Sequence, residues 1–508
     1  MTVAFAQDRR MLSNLLAGVA VVDSHDDREI HGISLDSRRI QSGDCFIALS
    51  GEICHGAEFA KAAVEAGAVA VLIEGDPVNF DLMGLDKSTP VVCISNLRKA
   101  VGRIASRFFG DPSRSLDVIA VTGTNGKTTV AQLCAHALKR LRGEAGYAGT
   151  LGIGMINELR PSENTTPDPI TLQSLFRDLC HSGCKSVAIE VSSHGIVQHR
   201  VIGTMLNVVV FTNLGHDHLD YHSSWDAYAA VKKSLLRYEG IRHAIINIDD
   251  NVGRDIAFEL DHDICCWTYG VNHTPPARSK ARHLKLLRYV GGHKRSTLVV
   301  GTPSGQVEIT TPLIGDFNAQ NLVASLGALM ALGVDVNIAA DALSQTPAIA
   351  GRMQTIETNS TEAPVVVIDY AHTPEGLVHV LATLKSITSR HLVCVFGCGG
   401  DRDATKRGPM GRAAEQGADI VIVTSDNPRG EDNGDIAAAI LLGMREPERV
   451  QVIHDRARAI ESAIKTAGAG DTVLVAGKGH EVSQEIAGMR YRFSDIEVAA
   501  QILEGQAQ

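Results

Sequence analysis

Short apolar runs rich in Val, Ile and Ala alternate with segments of helical period along most of the chain, and this texture falls into three blocks. The block 1–112 carries "CFIALSG", a helix around "AEFAKAAVEAG", then "AVAVLIEG" and "PVVCIS". "GDPSRSLD" follows, with Gly110, Pro112 and two serines, and reads as a linker. The block 113–345 opens on the strand "DVIAVTG". Past Lys127 it becomes a helix whose Val130, Leu133, Cys134, Ala137, Leu138 and Leu141 share one face of a period of about 3.6 residues. "SVAIEV", "NVVVFTN" and "HAIINID" are further strands, and "NAQNLVASLGALMALG" closes the block as a helix. Within it, "STLVVGTPSGQVEITTPLIG" sets β-rich residues on both sides of a Pro/Ser/Gly turn and predicts an antiparallel excursion from the main sheet. The block 346–508 carries the strands "VVVIDY", "HLVCVFG", "DIVIVTS" and "TVLVAGKG". Strands alternating with helices predict α/β architecture in all three blocks.

At 508 residues the chain is too long for one ordinary core, in keeping with about three domains. An apolar fraction of 44% and a charged fraction of 21% are those of a globular protein. The formal net charge of -10, with no long basic run, argues against broad binding to nucleic acid or an anionic membrane. Any anion site must therefore be local. "MTVAFAQDRRMLSN" lacks the apolar stretch of a signal peptide, and no run approaches the roughly 18 apolar residues of a membrane span. Ten cysteines are scattered, and the pairs Cys180/Cys184 and Cys394/Cys398 have one intervening residue too many for a CxxC knuckle. They read as structural thiols, and the whole as a reduced, cytoplasmic protein.

In the last two blocks polar clusters fall just after the strands, where open parallel sheets bind ligands. The first is "VTGTNGKTTV", Val121–Val130. Gly123 and Gly126 permit a tight turn whose amides face a phosphate at the helix start. Lys127 adds a point charge, and Thr128 offers a hydroxyl to Mg²⁺. The strict GxxxxGK[ST] pattern fails at Val121, leaving GxxGKT between strand and helix.

Glu190 ends an apolar strand in "AIEVSSHGIVQHR", where an unpaired carboxylate is costly to bury. It is either a salt-bridged structural residue or a metal ligand facing the nucleotide. Ser192, Gln198 and Arg200 offer hydrogen bonds and a positive fork to an anionic substrate. "FTNLGHDHLDYH" crowds three histidines and two aspartates. Without a cysteine, Asp217 and Asp220 suit a hard cation better than zinc, and each histidine is either a structural hydrogen-bonder or a Mg²⁺ ligand. Lys232 and Lys233, adjacent on a helix, read from spacing alone as solvated charge. "CGGDRD" and "SDNPRGED" bring Arg402 and Arg429 together with Asp426 and Glu481. These are either surface ion pairs or, with arginines for a carboxylate and acids for an ammonium, an amino-acid site. "GCGG" could serve as a second phosphate loop, but no GK[ST] follows it.

The ordered set TGTNGKTT, NTTP, EVSSHGxxQHR, TNLxxDHLDYH, GxFNxxN, GRM, DYAHTP, GCGGDRD, DNPR and GKGHE resembles the Mur ligase family, from "LDSR" near residue 35 to about residue 480. The resemblance implies an N-terminal UDP-substrate-binding domain (1–112), a central ATP-binding domain (113–345) and a C-terminal Rossmann-like domain that binds the amino acid (346–508). It implies an ATP- and Mg²⁺-dependent ligase of peptidoglycan precursor synthesis, and hence of cell-wall biogenesis, cell shape and division. That ligase adds meso-diaminopimelate to UDP-MurNAc-L-Ala-D-Glu through an acyl phosphate, acting as a monomer.

By the same resemblance, Gly123, Thr124, Asn125, Gly126, Lys127, Thr128 and Thr129 hold ATP, with Asn318 and Asn321 near its base and Arg352, Asp369 and His372 in motifs around it. Leu35 and Ser37 of "LDSR", with His55, Gly56 and Ala57, lie at the UDP moiety. Asn164, Thr165, Thr166, Ser192, Gln198 and Arg200 contact the muramoyl dipeptide. Glu190 and His218 join Thr128 as Mg²⁺ ligands, and a carboxylated lysine, Lys232 in preference to Lys233, helps hold the metal. This overturns the solvated-charge reading, because a carbamate turns the cation into an anion. Asp426, Asn427, Pro428 and Arg429 form the motif associated with diaminopimelate. Arg402 joins Arg429 as a carboxylate clamp, and Gly477 and Glu481 contact the distal amino acid group. Gln354 departs from the Glu frequent after "GRM" and carries no catalytic assignment. The alternatives are the same ligase using L-lysine, a folylpolyglutamate synthase-like ligase, or a P-loop switch or transport ATPase. A GTPase should show NKxD, which is absent. ATP and substrate sites on separate domains imply closure before chemistry.

Overall fold

The computed structural model describes residues 9–51, 53–76, 88–215, 221–222, 224–275, 280–358, 360 and 362–506. The chain divides into two compact units, Met1–Lys285 with Thr302–Gly305 and Asn321–Leu343, and Leu286–Gly301 with Gln306–Gln320 and Ser344–Gln508.

In the first unit, β1 (Gly32–Ser34), β2 (Asp44–Ala48), β3 (Ala70–Glu74) and β4 (Val91–Ile94) form a parallel sheet in that order. Helix α1 (Leu97–Phe108) buries Leu97, Val101, Ile104, Ala105 and Phe108 on it, the stripe that an amphipathic period provides. The opposite edge of α1 meets the middle block. A Cβ at Gly102 would lie 2.0 Å from the Ile202 carbonyl oxygen, so only glycine admits that approach. "GDPSRSLD" accordingly connects the blocks through a packed turn. Pro112 and Ser113 are buried in a 3₁₀ turn, Ser113 Oγ accepts from Met205 N at 3.0 Å, and Ser106 Oγ donates to Asp111 at 2.8 Å.

A second sheet is built on β5 (Asp117–Thr122), followed by α2 (Lys127–Arg142). Next come β6 (Ala145–Gly149), β7 (Gly152–Met155), β8 (Glu158–Arg160), α3 (Pro169–His181), β9 (Ser186–Glu190), α4 (Ser193–Val197) and β10 (Val208–Phe211). They are followed by α5 (Trp225–Ser234), β11 (His243–Asn247), β12 (Cys265–Gly270) and β13 (Arg282–Val290). The order is β8-β7-β6-β9-β5-β10-β11-β12-β13, parallel from β6 onward, with β7 and β8 antiparallel at the edge. Central strands such as Val118–Val121 and Val187–Glu190 are buried on both faces, which is why they read as continuous apolar runs. The α2 stripe is buried from Val130 to Leu138, with Leu141 half-buried. The expected excursion is the pair β14 (Ser296–Thr302) and β15 (Gly305–Thr311), joined by two residues, a connection only antiparallel neighbours permit.

The remainder of the second unit is a six-stranded sheet. Its strands are β16 (Gln354–Ile356), β17 (Val365–Asp369), β18 (Leu392–Phe396), β19 (Ile420–Val423), β20 (Gln451–Val452) and β21 (Thr472–Ala476), in the order β16-β17-β21-β18-β19-β20. All but β16 pair in parallel. Helix α6 (Asp316–Ala331) comes before this sheet in the chain, helices α7 (Pro374–Ile387), α8 (Arg407–Gly417), α9 (Arg456–Thr466) and α10 (Asp495–Gln506) intervene or follow, and the hairpin β22 (Ser483–Ile486) and β23 (Met489–Arg492) precedes α10.

Arg456 at the start of α9 is fully buried and pairs bidentately with buried Asp495 of α10, at 2.7 and 2.8 Å. The same guanidinium donates to Ser425 O and Ala476 O, at the ends of the β19 and β21 chain segments. Removing one partner leaves an uncompensated buried charge. We predict that Arg456→Met lowers the unfolding free energy by about 3–5 kcal/mol in urea titrations, and that adding Asp495→Asn restores part of the loss. A single variant as stable as the parent would show that the pair is not needed.

Candidate active site

The loop after β5 is set by two glycines with positive φ, Gly123 at 147° and Gly126 at 85°. A Cβ on Gly123 would lie 1.9 Å from Thr212 Oγ1, and one on Gly126 would lie 2.5 Å from Asn321 Oδ1. Glycine thus satisfies both the turn and the close neighbours, and Asn321 of α6 lies against the loop. Thr124 Oγ1 is within 3.0 Å of the Tyr228 hydroxyl and accepts from Gly215 N. Asn125 N donates to Asn213 Oδ1 at 2.9 Å. Residues 212–215 therefore pin the loop from the neighbouring strand. Thr128 and Thr129 are buried in the first turn of α2, whose N-terminus presents amides for an anion.

Lys127 Nζ donates to the carbonyls of Gly123, at 2.9 Å, and Thr124, at 2.8 Å. Lys232 Nζ donates to the same Gly123 oxygen at 2.8 Å and lies 4.9 Å from the Tyr228 ring centroid. Lys232 is buried, whereas Lys233 pairs with Glu259 at 3.4 Å on the outer face of α5. Adjacent residues on a helix point about 100° apart, which separates two lysines that the sequence leaves equivalent. The solvated-charge reading fails for Lys232, which is buried, while Lys233 is half-buried beside Glu259.

Glu190, at the end of β9, is fully buried. Its Oε1 accepts from the Tyr147 hydroxyl, at 2.5 Å, and from Thr150 N, at 2.9 Å. Its Oε2 accepts from the hydroxyls of Thr128, at 2.9 Å, and Thr150, at 3.2 Å. Among the described residues none of its donors is cationic, so the salt-bridged alternative is not realised. Burial, then the Glu190 charge, raises the Tyr147 pKa well above its ordinary value and keeps that hydroxyl a donor. The donor set of a hydroxyl and a carboxylate, both hard oxygens, fits Mg²⁺, and a buried carboxylate without a counter-charge invites a cation. His218, Asp217 and Asp220 lie outside the described residues.

The muramoyl-dipeptide candidates gather beside Glu190. Thr166 Oγ1 donates to Glu190 O, at 2.9 Å, and accepts from Ser192 N, also at 2.9 Å, while Ser192 Oγ caps α4 through Gly195 N. Thr165 Oγ1 is 3.2 Å from Thr150 Oγ1. Arg200 donates to Thr166 O, at 2.7 Å, and twice to Gln198 Oε1. Asn164 is exposed beside them. Leu35, Ser37 and His55–Ala57 lie after β1 and β2, which are neighbours, so both groups share one sheet edge. There His55 Nδ1 accepts from Ala57 N at 3.0 Å, and Gly56 leaves no room for a Cβ against Leu49. These residues shape a capped turn.

In the second unit, Asp369 accepts from Met353 N and Ala371 N, each at 2.7 Å, and burial raises its pKa against the Arg352 charge. The Arg352 guanidinium covers the Tyr370 ring at 4.5 Å, and His372 Nδ1 meets the Tyr370 carbonyl at 2.8 Å. Gln354 Oε1 accepts from Gly351 N, a loop-holding contact. Asn318 is buried and donates to Ile314 O.

The "DNPR" and "GKGHE" loops meet after β19 and β21. Gly477, at φ 115°, lets Asp426 approach to where a Cβ would be 2.7 Å from Oδ2. Burial raises the Asp426 pKa, and its carboxylate has no hydrogen-bond donor among the described residues. Asn427 and Lys478 both donate to Glu481, at 2.9 and 2.6 Å. Burial pushes the Glu481 pKa up, but Lys478 and Asn427 outweigh it and hold it below the usual range. The Pro428 carbonyl abuts Gly400, where a Cβ would lie 1.9 Å away. Arg429, at φ 52°, donates to Gly400 O at 2.8 Å and faces Glu485 at 3.4 Å. Its ionic partner is thus Glu485 rather than Asp426 or Glu481. The exposed Arg402 guanidinium has no partner among the described residues. Tyr147, Thr150, Tyr228, Lys478 and Glu485 escaped the sequence reading. Only "YAGT", at the end of β6, offered a signal for the first two.

All ten cysteines are free, and no helix among the described residues is long and apolar enough to cross a membrane. Models of the Mur ligase family match in chain order: the Mur ligase family catalytic domain at residues 29–109, the Mur ligase middle domain at 121–329, and the Mur ligase glutamate ligase domain at 351–479. The chain is 43% identical over 477 residues to a UDP-N-acetylmuramoyl-L-alanyl-D-glutamate–2,6-diaminopimelate ligase of Chromobacterium violaceum, covering 93% of this chain and 94% of the relative. Against the ligase of that name from Pseudomonas aeruginosa it is 42% identical, covering 94% and 96%. A solved structure of a ligase of that name superposes with a TM-score of 0.68 at 35% identity, covering 94% of this chain and 96% of the other. With a phosphate loop, a buried hard-oxygen cluster and these matches spanning nearly its whole length, the chain belongs to the Mur ligase family.

Proposed function

We propose that this protein is an ATP-dependent ligase that joins meso-diaminopimelate to the D-glutamate carboxylate of UDP-MurNAc-L-Ala-D-Glu. The observation that carries the reading is the cluster in which Thr128 of the phosphate loop and Thr166 of the acceptor group bond the same residue, Glu190. The likeness to diaminopimelate ligases along the chain supports the amino acid. We assign acceptor binding to 1–112 with the Glu190 neighbourhood, ATP to 113–345 and the amino acid to 346–508, in a cytoplasmic monomer.

The P-loop amides and Lys127 hold the terminal phosphates of ATP, with Asn318, Asn321, Arg352 and Asp369 assigned to its surroundings. Thr128, Glu190, His218 and carboxylated Lys232 would hold Mg²⁺, which supplies charge neutralisation for the transferring phosphoryl group. Two ammonium groups on the single Gly123 oxygen repel each other, and this supports carboxylation of Lys232. Arg200, Gln198, Ser192 and Asn164–Thr166 orient the acceptor. Its carboxylate attacks the γ-phosphorus, the bond to the ADP oxygen breaks, and an acyl phosphate forms. The amine attacks the acyl carbon and loses a proton, and phosphate leaves as the amide forms. Carboxylate oxygen is a poor leaving group and phosphate a good one, which is what ATP contributes. Arg402 and Arg429 take the distal carboxylate, with Asp426, Glu481 and the Gly477 backbone at the ammonium.

The test is phosphate release with ATP, Mg²⁺ and UDP-MurNAc-L-Ala-D-Glu, with meso-diaminopimelate compared with L-lysine. Release together with tripeptide product is expected with diaminopimelate alone. Preference for lysine would sink the clamp, and release indifferent to both amines would point to a switch or transport ATPase. We further predict that Gly149→Ala cuts turnover by at least about tenfold. Its Cβ would lie 2.2 Å from Glu190 Oε1 and 2.3 Å from the Tyr147 hydroxyl, a clash of the kind that costs about 1–3 kcal/mol. Unchanged turnover would remove Glu190's geometry from the mechanism.

A further inference from the structure

We propose that Glu485 is an internal competitor for the Arg429 guanidinium and so sets how tightly the enzyme holds the distal carboxylate of its amino acid. The inference rests on the clamp reading given above.

Three contacts fix the arrangement. Arg429 N donates to Glu485 O at 3.1 Å and Ala487 N donates to Arg429 O at 2.6 Å, so the backbone of β22 is tied to the arginine. Arg429 Nη1 is committed to Gly400 O at 2.8 Å. The side-on edge of the fork, Nε with Nη2, does not use Nη1, and there the Glu485 carboxylate stands, 3.4 Å from Nε. Both side chains are partly exposed, which leaves the pair within reach of a ligand and weakly held.

A guanidinium edge can take one carboxylate bidentately. An amino acid with a distal carboxylate must displace Glu485 or share the edge with it, at a cost in affinity. An amino acid without that group leaves the Arg429–Glu485 pair intact, so Arg429 is never an unpaired cation facing an apolar chain. Glu485 therefore weakens binding of the dicarboxylic amino acid and does not affect the monocarboxylic one. Glu485 is a specificity-determining residue, placed outside the reacting atoms.

The experiment uses the full chain with ATP, Mg²⁺ and UDP-MurNAc-L-Ala-D-Glu, comparing the parent with Glu485→Gln and Glu485→Ala. Expected are a two- to fivefold fall in the KM for meso-diaminopimelate in both variants, a kcat within twofold, an unchanged KM for ATP, and no gain with L-lysine. An exposed ion pair contributes modestly, hence the modest fold-change. A KM that is unchanged or raised in either variant, while the parent still uses diaminopimelate, overturns the inference and leaves the ligase reading intact. A parent that makes no tripeptide with diaminopimelate overturns the ligase reading instead.

Discussion

A carboxylate sealed from water, with no cationic donor among the described residues, is the constraint around which the first unit is organised. Glu190 sits at the end of a central strand where both faces are covered, and an ionised group there is tolerable only if its lone pairs are met. Two threonine hydroxyls, a tyrosine hydroxyl and a backbone amide meet them. That demand fixes several choices at once. Gly149 has no side chain because Glu190 and Tyr147 occupy the space, and Tyr147 is a tyrosine in the buried strand β6 because a donor is required. Thr128 of α2 is drawn from the nucleotide side, and Thr166 is held by the same residue's backbone. The phosphate loop and the acceptor group are thereby linked through one residue.

The second unit uses a different device toward a comparable end. Arg456 and Asp495 bury opposite charges, and the arginine then reaches the carbonyls of Ser425 and Ala476. Those residues directly precede Asp426 and Gly477. The fully buried Arg456 guanidinium thus holds the carbonyls just before the two loops that carry the amino-acid candidates, while the Arg429 side chain meets, among the described residues, Gly400 O and the partly exposed Glu485. Low exposure makes one arginine structural, and partial exposure leaves the other free to exchange partners.

Much of the fold was legible before any coordinates. Each expected strand from "CFIALSG" to "TVLVAGKG" appears, as does the antiparallel excursion at 296–311, because period and β-branched content are local properties. What period and composition do not carry is the packing. "GDPSRSLD" has a linker's composition and includes a 3₁₀ turn in which Pro112 and Ser113 are buried, and Gly102 lets α1 close on Ile202. Residues 1–112 therefore share a compact unit with the middle block.

By itself, then, the sequence determined the alternation of strands and helices, the glycine positions with positive φ that shape the phosphate loop, and the order of the polar clusters after the strands. All three depend on residues near one another in the chain. The tertiary structure alone decided that Lys232 turns inward and Lys233 outward, that Glu190 is met by the Tyr147 and Thr150 donors, and that Arg429 faces Glu485. Those outcomes depend on which strand or hairpin lies alongside, and the environment of a long polar side chain is set by neighbours that sequence distance does not reveal.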